Sequence, residues 1–442
     1  MSQAIRPPAV AGTFYPAVPA RLQHDVDGYL ADAEARLGDA PVAPKAIIAP
    51  HAGYVYSAPV AASAYASLRA AAERIRRVVL LGPSHRVSLR GLATTSADRF
   101  DTPLGPVPID RASCERAAAL PAVCVMDGAH ALEHSLEVQL PFLQRVLNDF
   151  ELVPFSVGDA SGEEVAEVLE LLWGGPETLV VVSSDLSHYY DYETAKRLDA
   201  ATTHAIEALD PGGLDAESAC GRVPVRGLLL AARRHGLDVE TVDVRSSGDT
   251  AGPRDQVVGY GSWLFRDQDA VLLDVARRAV ASEREPEIDA ADYPPALREI
   301  RATFVTLLAD GELRGCIGSL VADRPLVEDV ARSAYRAAHH DPRFPPVTPA
   351  EAAALEIHVS VLSPAEPMSF DSEADLLAQL RPGVDGLILE DGTMRATFLP
   401  DVWESLPEPA DFLAQLKKKA GLPVDHRSGT LRVSRYTTRR VG

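Results

Sequence analysis

The stretch "KAIIAPHAGYVYS", residues 45–57, decides the fold. An apolar run, Ala46–Ala49, stops at Pro50 and delivers His51, with Gly53 close behind. A short apolar run with no polar alternation describes a strand covered on both faces, the kind found in parallel sheets. A histidine at its carboxyl end stands where open α/β sheets bind their ligands. Three other stretches repeat the pattern. "VVLLGPS" (78–84) leads to His85, "VVVSSDLS" (180–187) offers Asp185 and then His188, and "VDVRSSGD" (242–249) ends at Asp249. Polar tips at equivalent strand ends converge in space although they are far apart in sequence. Gly53, Gly82 and Gly248 beside them fit tight turns or close backbone approach.

Working outward, strands are expected at 46–49, 77–81, 152–157, 179–183, 239–244 and 257–264. Helical spacing falls between them at 58–72, 132–147, 162–173, 192–209 and 225–235. Such alternation predicts a mostly parallel sheet flanked by helices. The pattern changes near Arg266–Asp269. Residues 303–308, 355–362 and 386–390 then read as strands, 326–339 and 409–420 as helices, and the charged, Pro-containing segment 283–300 as a loop. The chain therefore divides into an α/β domain, 1–267, and a smaller α+β domain, 268–442. A length of 442 residues suits two cores better than one.

Bulk properties narrow the function. Lys plus Arg number 43 against 63 Asp plus Glu, a net charge of −20, which repels nucleic-acid backbones. No run approaches the roughly 20 apolar residues of a membrane span. The N-terminal "MSQAIRPPAVAGTFYP" has no signal-peptide core. Four scattered cysteines without a CxxC fit a reducing cytoplasm. The expected partner is a small-molecule substrate, with neither nucleic acid nor membrane. An acidic α/β protein of this size is also compatible with a homodimer.

Two imidazoles and one carboxylate with open positions suit non-haem Fe(II). The same set suits Zn(II) activating water. His51, His85 and Asp249 are the expected metal ligands, with Asp185 and His188 as supporting or acid/base groups. Taken singly, each histidine has a plainer reading as a surface or hydrogen-bonding residue. Their shared sheet edge is what argues for a site. A rival lies at "HALEH" (130–134), where His130, Glu133 and His134 match the inverted zinc-protease pattern. That pattern supplies no third ligand. The preferred reading puts His134 and Glu137 at a helix start beside the pocket, where they orient substrate or ligands.

"AGTFYP", "PHAGYVYSAPVAASAY", "LGPSH", "EHSLEVQLPFL", "SSDLSHY" and "SSGD…VVGYGS" occur in order between residues 7 and 265. Together they resemble the Memo family (AmmeMemoRadiSam system protein B), which is similar to the class III extradiol dioxygenases in fold and metal pocket. Eukaryotic members hold metal with two His and one Cys. His51 and His85 match the two histidines, and Asp249 stands at the cysteine position. The resemblance thus implies a site nearer to the 2-His-1-carboxylate Fe(II) pattern, and weakens copper–thiolate chemistry. Asp185, His188, His134 and Glu137 fall on family motif positions near that pocket.

In the second domain "ELRGCIGSL" (312–320) places Cys316 between Gly315 and Gly318, and the Pro-rich "HHDPRFPPVT" (339–348) reads as an ordered turn. With "TFLPDVW" and "DFLAQLKKKAGLP" these resemble the AMMECR1-type family (AmmeMemoRadiSam system protein A) over roughly 270–440. Its positions here are Arg314, Gly315, Cys316, Gly318, Asp341, Arg343 and Phe344. Cys316 is a candidate nucleophile if a nearby cation activates it. Its plainer reading is a small buried residue. The family names imply a radical SAM partner, and this chain lacks the CxxxCxxC such an enzyme needs. Three functions stay open. They are an Fe(II)-dependent dioxygenase-like oxidoreductase, a Zn(II) hydrolase in the same pocket, and a metal- or peptide-binding accessory module.

Overall fold

The computed structural model describes residues 4–37 and 42–442. The chain divides into two compact units, the first ending at Gln268 and the second beginning at Asp269. The main sheet of the first unit has nine strands. They are β1 (Ala46–Ala49), β2 (Arg77–Pro83), β3 (Leu92–Thr94), β4 (Val123–Val125), β5 (Glu151–Val157), β6 (Thr178–Ser183), β7 (His188–Tyr190), β8 (Leu237–Ser246) and β9 (Val257–Asp267). Their order is β7-β9-β1-β6-β2-β5-β3-β4, with β8 also paired to β9.

The central four strands, β1, β6, β2 and β5, are mutually parallel. Every residue of β1 and β6 is buried, so both faces of the sheet are covered. This is why these runs carry no polar alternation. On one side β9 joins antiparallel to β1, and on the other β3 joins antiparallel to β5. The sheet is therefore mixed around a parallel centre. The parallel centre matters for function, because it turns four carboxyl ends to one edge.

The covering helices include α1 (Pro19–Leu37), α2 (Tyr54–Ala66), α3 (His134–Glu137), α4 (Leu140–Val146), α5 (Gly162–Leu172), α6 (Tyr192–Glu207) and α7 (Arg222–Arg234). α1 packs on α2, and α5 on α7. The region expected as one helix from 132 to 147 is two short helices, α3 and α4. α1 has a legible stripe: Leu22, Val26, Leu30 and Ala33, spaced four, four and three, are all fully buried.

The second unit holds two four-stranded sheets. The first runs in the order β11 (Glu312–Gly318), β10 (Thr303–Ala309), β12 (Glu356–Leu362), β17 (Thr438–Val441), all antiparallel. Helix α8 spans Gln268–Ala281. Helix α9 (Leu326–His339) packs on β10, and Val305, Leu307 and Val359 are fully buried. The second sheet runs β13 (Glu366–Pro367), β16 (Arg432–Tyr436), β14 (Gly386–Asp391), β15 (Met394–Phe398). Its core joins Leu387 and Leu389 to Trp403 and to Phe412 of α10 (Pro409–Lys419), the two rings stacked at 3.8 Å. The segment 312–318, expected only as a Gly-flanked motif, is an edge strand. All four cysteines are free. Among the described residues no helix is long and apolar enough to cross a membrane.

Candidate metal centre

His51 follows β1 and His85 follows β2, so two strand tips contribute a histidine each. A third comes from His134, the first residue of α3. One ligand atom from each of the three lies within 4.8 Å of the others. Ring centroids are 4.7 Å apart for His85 and His134, and 5.2 and 5.5 Å from His51 to His85 and His134. The turn bearing His134 lies over β2 because Gly82 lets it. A Cβ at Gly82 would stand 2.7 Å from Ser135 Oγ and 3.0 Å from Leu136 Cδ2. Gly82 is therefore needed for close approach. Gly53, with φ −56°, caps α2 in an ordinary conformation.

Hydrogen bonds fix the ring nitrogens. Ser183 Oγ donates to the Ser135 carbonyl at 2.6 Å and accepts from Gln139 Nε2 at 2.8 Å. Its only proton is thus used, and His51 Nδ1, 2.8 Å away, must donate to it. The lone pair of His51 is then on Nε2. His85 Nδ1 lies 3.0 Å from Glu133 Oε1 and donates to that carboxylate, which leaves its Nε2 lone pair free. His134 Nδ1 is buried and has no hydrogen-bond partner among the described residues, 3.4 Å from Glu133 Oε1.

Glu133 is 1% exposed and also accepts the backbone N–H groups of His85, His134 and Ser135. Burial pushes its carboxyl up, but the bonds from His85 and Ser135 outweigh that and hold its pKa at about 2. Burial, helped by His85, pulls His51 down to about 3. Burial, then His51, pulls His134 to about 4. These two rings are neutral at physiological pH, the state a metal ligand needs. Neutral His51 and His134 imidazoles, beside a His85 ring held through Nδ1 by Glu133, fit a divalent cation.

Asp185, after β6, lies between the two strand tips and accepts the His51 backbone N–H at 2.7 Å. Its Oδ2 is 4.0 Å from His51 Nε2, and burial raises its pKa. Cys220, just before α7, places its sulfur 3.4 Å from His51 Nε2, and burial keeps it a neutral thiol. A cleft of about 410 Å³ adjoins the cluster, lined by His85, Leu186, His188, Tyr189 and Cys220 among others. Tyr189 on its rim has φ 65°, an unfavourable conformation for a bulky residue. A larger cavity of about 510 Å³, beside Gln23, Arg76 and Phe150, contains none of these histidines.

Two expected site residues have other work. Asp249 lies outside the histidine cluster. Its Oδ2 folds back to accept from Ser246 N and Oγ at 2.9 Å, a capping box on the short helix 247–250. Tyr192 donates to its Oδ1 at 2.7 Å, with Arg254 at 3.6 Å. Local capping holds the side chain at its own strand end. Glu137 is fully buried and takes donors from Arg6, Ala9, Val10 and Tyr15. It ties the N-terminal "AGTFYP" region to the turn that carries His134. The "HALEH" histidines fall on two different short helices, and His130 Nε2 sits on the Ala93 carbonyl. Cys220 escaped the sequence reading because no strand tip or motif marks it.

The Memo-like protein model matches residues 6–264. The chain belongs to the Memo-like family. Residues 273–441 match the AMMECR1 model, so the chain joins the two domains. A MEMO1 family protein of Methanopyrus kandleri is 37% identical over 289 residues, 59% of this chain and 99% of that protein. A MEMO1 family protein of Aquifex aeolicus is 37% identical over 276 residues, again 59% and 99%. A crystal structure of the uncharacterized protein PH0010 from Pyrococcus horikoshii is 36% identical, with 38% of this chain and 88% of that one covered at a TM-score of 0.36. Every histidine of the cluster lies within the Memo-like half.

In the AMMECR1 half, the two halves of the sequence signature meet around Cys316. Its backbone N–H donates to Asp341 Oδ2 at 2.9 Å and its carbonyl accepts from Arg343 Nη2 at 3.3 Å. Asp341 and Arg343 pair at 2.7 Å, and Arg343, with hydrogen bonds from the Cys316 and Arg343 backbone, holds the Asp341 carboxyl far below its usual range. Arg314 pairs with Glu351 at 2.5 Å and lies over the Phe344 ring. The turn 341–344 thus clamps β11.

Proposed function

We propose that the Memo-like half is a mononuclear metal enzyme. His51, His85 and His134 hold one Fe(II) for dioxygenase-like oxidoreductase chemistry on a small molecule in the adjoining cleft. The observation carrying this reading is the meeting of three imidazoles, one of which, His85, lines a cleft. Three protein ligands leave positions open, and a bound ion would supply Lewis acidity and one-electron chemistry there. The chain's own residues prepare the site. Ser183 and Glu133 fix the tautomers of His51 and His85. Leu186 and Tyr189 wall the substrate space. His188, on the same wall, is placed to move a proton to or from a bound substrate. Glu137, with its donors already in place, only supports the turn.

The test is oxygen uptake by protein loaded anaerobically with Fe(II) and screened against phenolic compounds. Uptake that depends on one phenol, and is lost in His134→Ala, is the expected result. A second reading has its own support. Three imidazoles without a carboxylate are also the donor set of a catalytic zinc site. Ester hydrolysis by Zn(II)-loaded protein, with no oxygen uptake by the iron form, would reverse the assignment. A radical SAM enzyme is the proposed working partner, as the resemblance of the two domains to AmmeMemoRadiSam system proteins B and A implies. Co-purification from the native host tests it, and its absence under anaerobic conditions would remove that partner.

A further inference from the structure

Among the described residues, Tyr189, Leu209 and Asp310 take positive φ without being glycine, at 65°, 51° and 50°. Two of them have a local reason. Leu209 follows the end of α6, where the Asp210 N–H reaches back to the Ala205 carbonyl at 2.7 Å and a left-handed residue closes the helix. Asp310 and Gly311 form the two-residue turn between β10 and β11, with Ala309 paired to Glu312. Such turns take positive φ at both central positions, and Gly311 has φ 81°. Tyr189 is in neither place, because it lies inside β7.

The pairing of β7 explains its geometry. His188 pairs with Val258 and Tyr190 with Val257, two neighbours on β9. Three residues of β7 thus face two of β9, and Tyr189 is the extra residue of a β-bulge. A bulge with a left-handed residue ordinarily places glycine there, since a bulky side chain at that φ is strained. Bonds on both sides hold the strained residue in place. The Leu186 N–H donates to the Gly259 carbonyl and the Gly259 N–H to the Ser187 carbonyl, both at 2.8 Å. Beyond the bulge the Tyr192 N–H donates to the Arg254 carbonyl at 3.2 Å. Packing does not repay the strain, because Tyr189 is 71% exposed. What the bulge does is present the ring. Tyr189 lines the cleft of about 410 Å³ together with His85 and His188, and its ring stands edge-on to that of His188 at 5.7 Å and 66°. Strain that the fold does not need, placed beside a candidate metal ligand, points to function.

We propose that the bulge keeps Tyr189 in order to stack its ring on a planar aromatic substrate, which makes Tyr189 the residue that selects flat rings over saturated ones. This rests on the small-molecule cleft of the oxidoreductase reading and adds the side chain that recognises the ring. Aromatic pairs gain free energy beyond the area they bury, and a saturated ring of the same skeleton gains burial alone.

The full chain is titrated calorimetrically with 2-naphthol and with decahydro-2-naphthol, which shares the hydroxyl and the carbon skeleton but is not flat. Both titrations are run with Zn(II) and without it. 2-Naphthol should bind, and the ratio of its affinity to that of the saturated alcohol should fall roughly threefold to tenfold in Tyr189→Leu and hold in Tyr189→Phe. An unchanged ratio in Tyr189→Leu, or no binding of 2-naphthol by the wild type, would overturn the proposal. The ratio is read with and without the ion, so failure of the metal centre, which zinc content reports, is distinct from failure of the stacking. Urea unfolding checks the strain. Tyr189→Gly should have a higher midpoint than Tyr189→Ala, the reverse of the order at a relaxed position. A higher midpoint for Tyr189→Ala would show that the position is unstrained and overturn the role given to the bulge.

Discussion

His51 donates from Nδ1 to Ser183 Oγ at 2.8 Å, and the hydroxyl proton of Ser183 is already committed to the Ser135 carbonyl. One serine thereby joins the β1 tip, the β6 tip and the turn carrying His134. Removing it frees the ring to take the other tautomer. Ser183→Ala should weaken metal binding by roughly 10- to 100-fold, as loss of a ligand's supporting bond does. Competition against a chromophoric chelator measures this. Unchanged affinity would show that the tautomer is not set by Ser183.

Glu133 accepts from the His85 ring and from three backbone N–H groups. Glu133→Gln keeps the shape, loses the charge, and places an amide where an acceptor is needed. Metal affinity should fall by about tenfold or more. The metal-free protein should also lose on the order of 3 kcal/mol, since buried donors lose a charged acceptor. Chelator competition and urea unfolding report the two effects separately.

Glu137 predicts a stability effect with a different signature. Its carboxylate pairs with buried Arg6 and holds the N-terminal segment. Glu137→Ala leaves Arg6 buried and unpaired, at a cost of about 3–5 kcal/mol. Protease cleavage within residues 4–16 should rise in parallel. Loss of turnover without loss of stability would instead give Glu137 a chemical role.

Asp199 gives the pH dependence. It is 3% exposed, accepts the Ser187 N–H at 3.0 Å and lies against Gly259, where a Cβ would be 2.0 Å from its Oδ2. Burial raises its pKa from 3.8 to about 6. A raised carboxyl favours the fold while protonated, so this contribution is present below about pH 4 and lost as pH rises through about 6. Two pKa units correspond to something on the order of 3 kcal/mol. Asp199→Asn should therefore gain stability over the wild type between pH 4 and 6.5, with the difference constant above that. Parallel urea-unfolding curves across this range would refute the shift.

The parallel centre of the first sheet was legible because β1, β2, β5 and β6 are uninterrupted apolar runs, and buried strands have no other way to look. The tips delivering His51 and His85 were legible for the same reason. His134 was harder to place, since it reaches the cluster from a turn. That turn's position depends on the close fit of Gly82 under Ser135 and Leu136, a tertiary contact with no sequence period. Asp249 shows the opposite difficulty. It stands at a strand end of suitable type, but the preceding Ser246 offers a local capping partner that a longer-range site would have to outcompete. Cys220 depends on packing, which one sequence does not display.

Metal content of protein loaded anaerobically with Fe(II) or Zn(II), in the wild type and in His51→Ala, His134→Ala and Asp249→Ala, is the most direct test. Near one ion per chain is expected in the wild type and in Asp249→Ala, with loss in both histidine variants. Full occupancy in His134→Ala, together with loss in Asp249→Ala, would contradict the three-histidine centre.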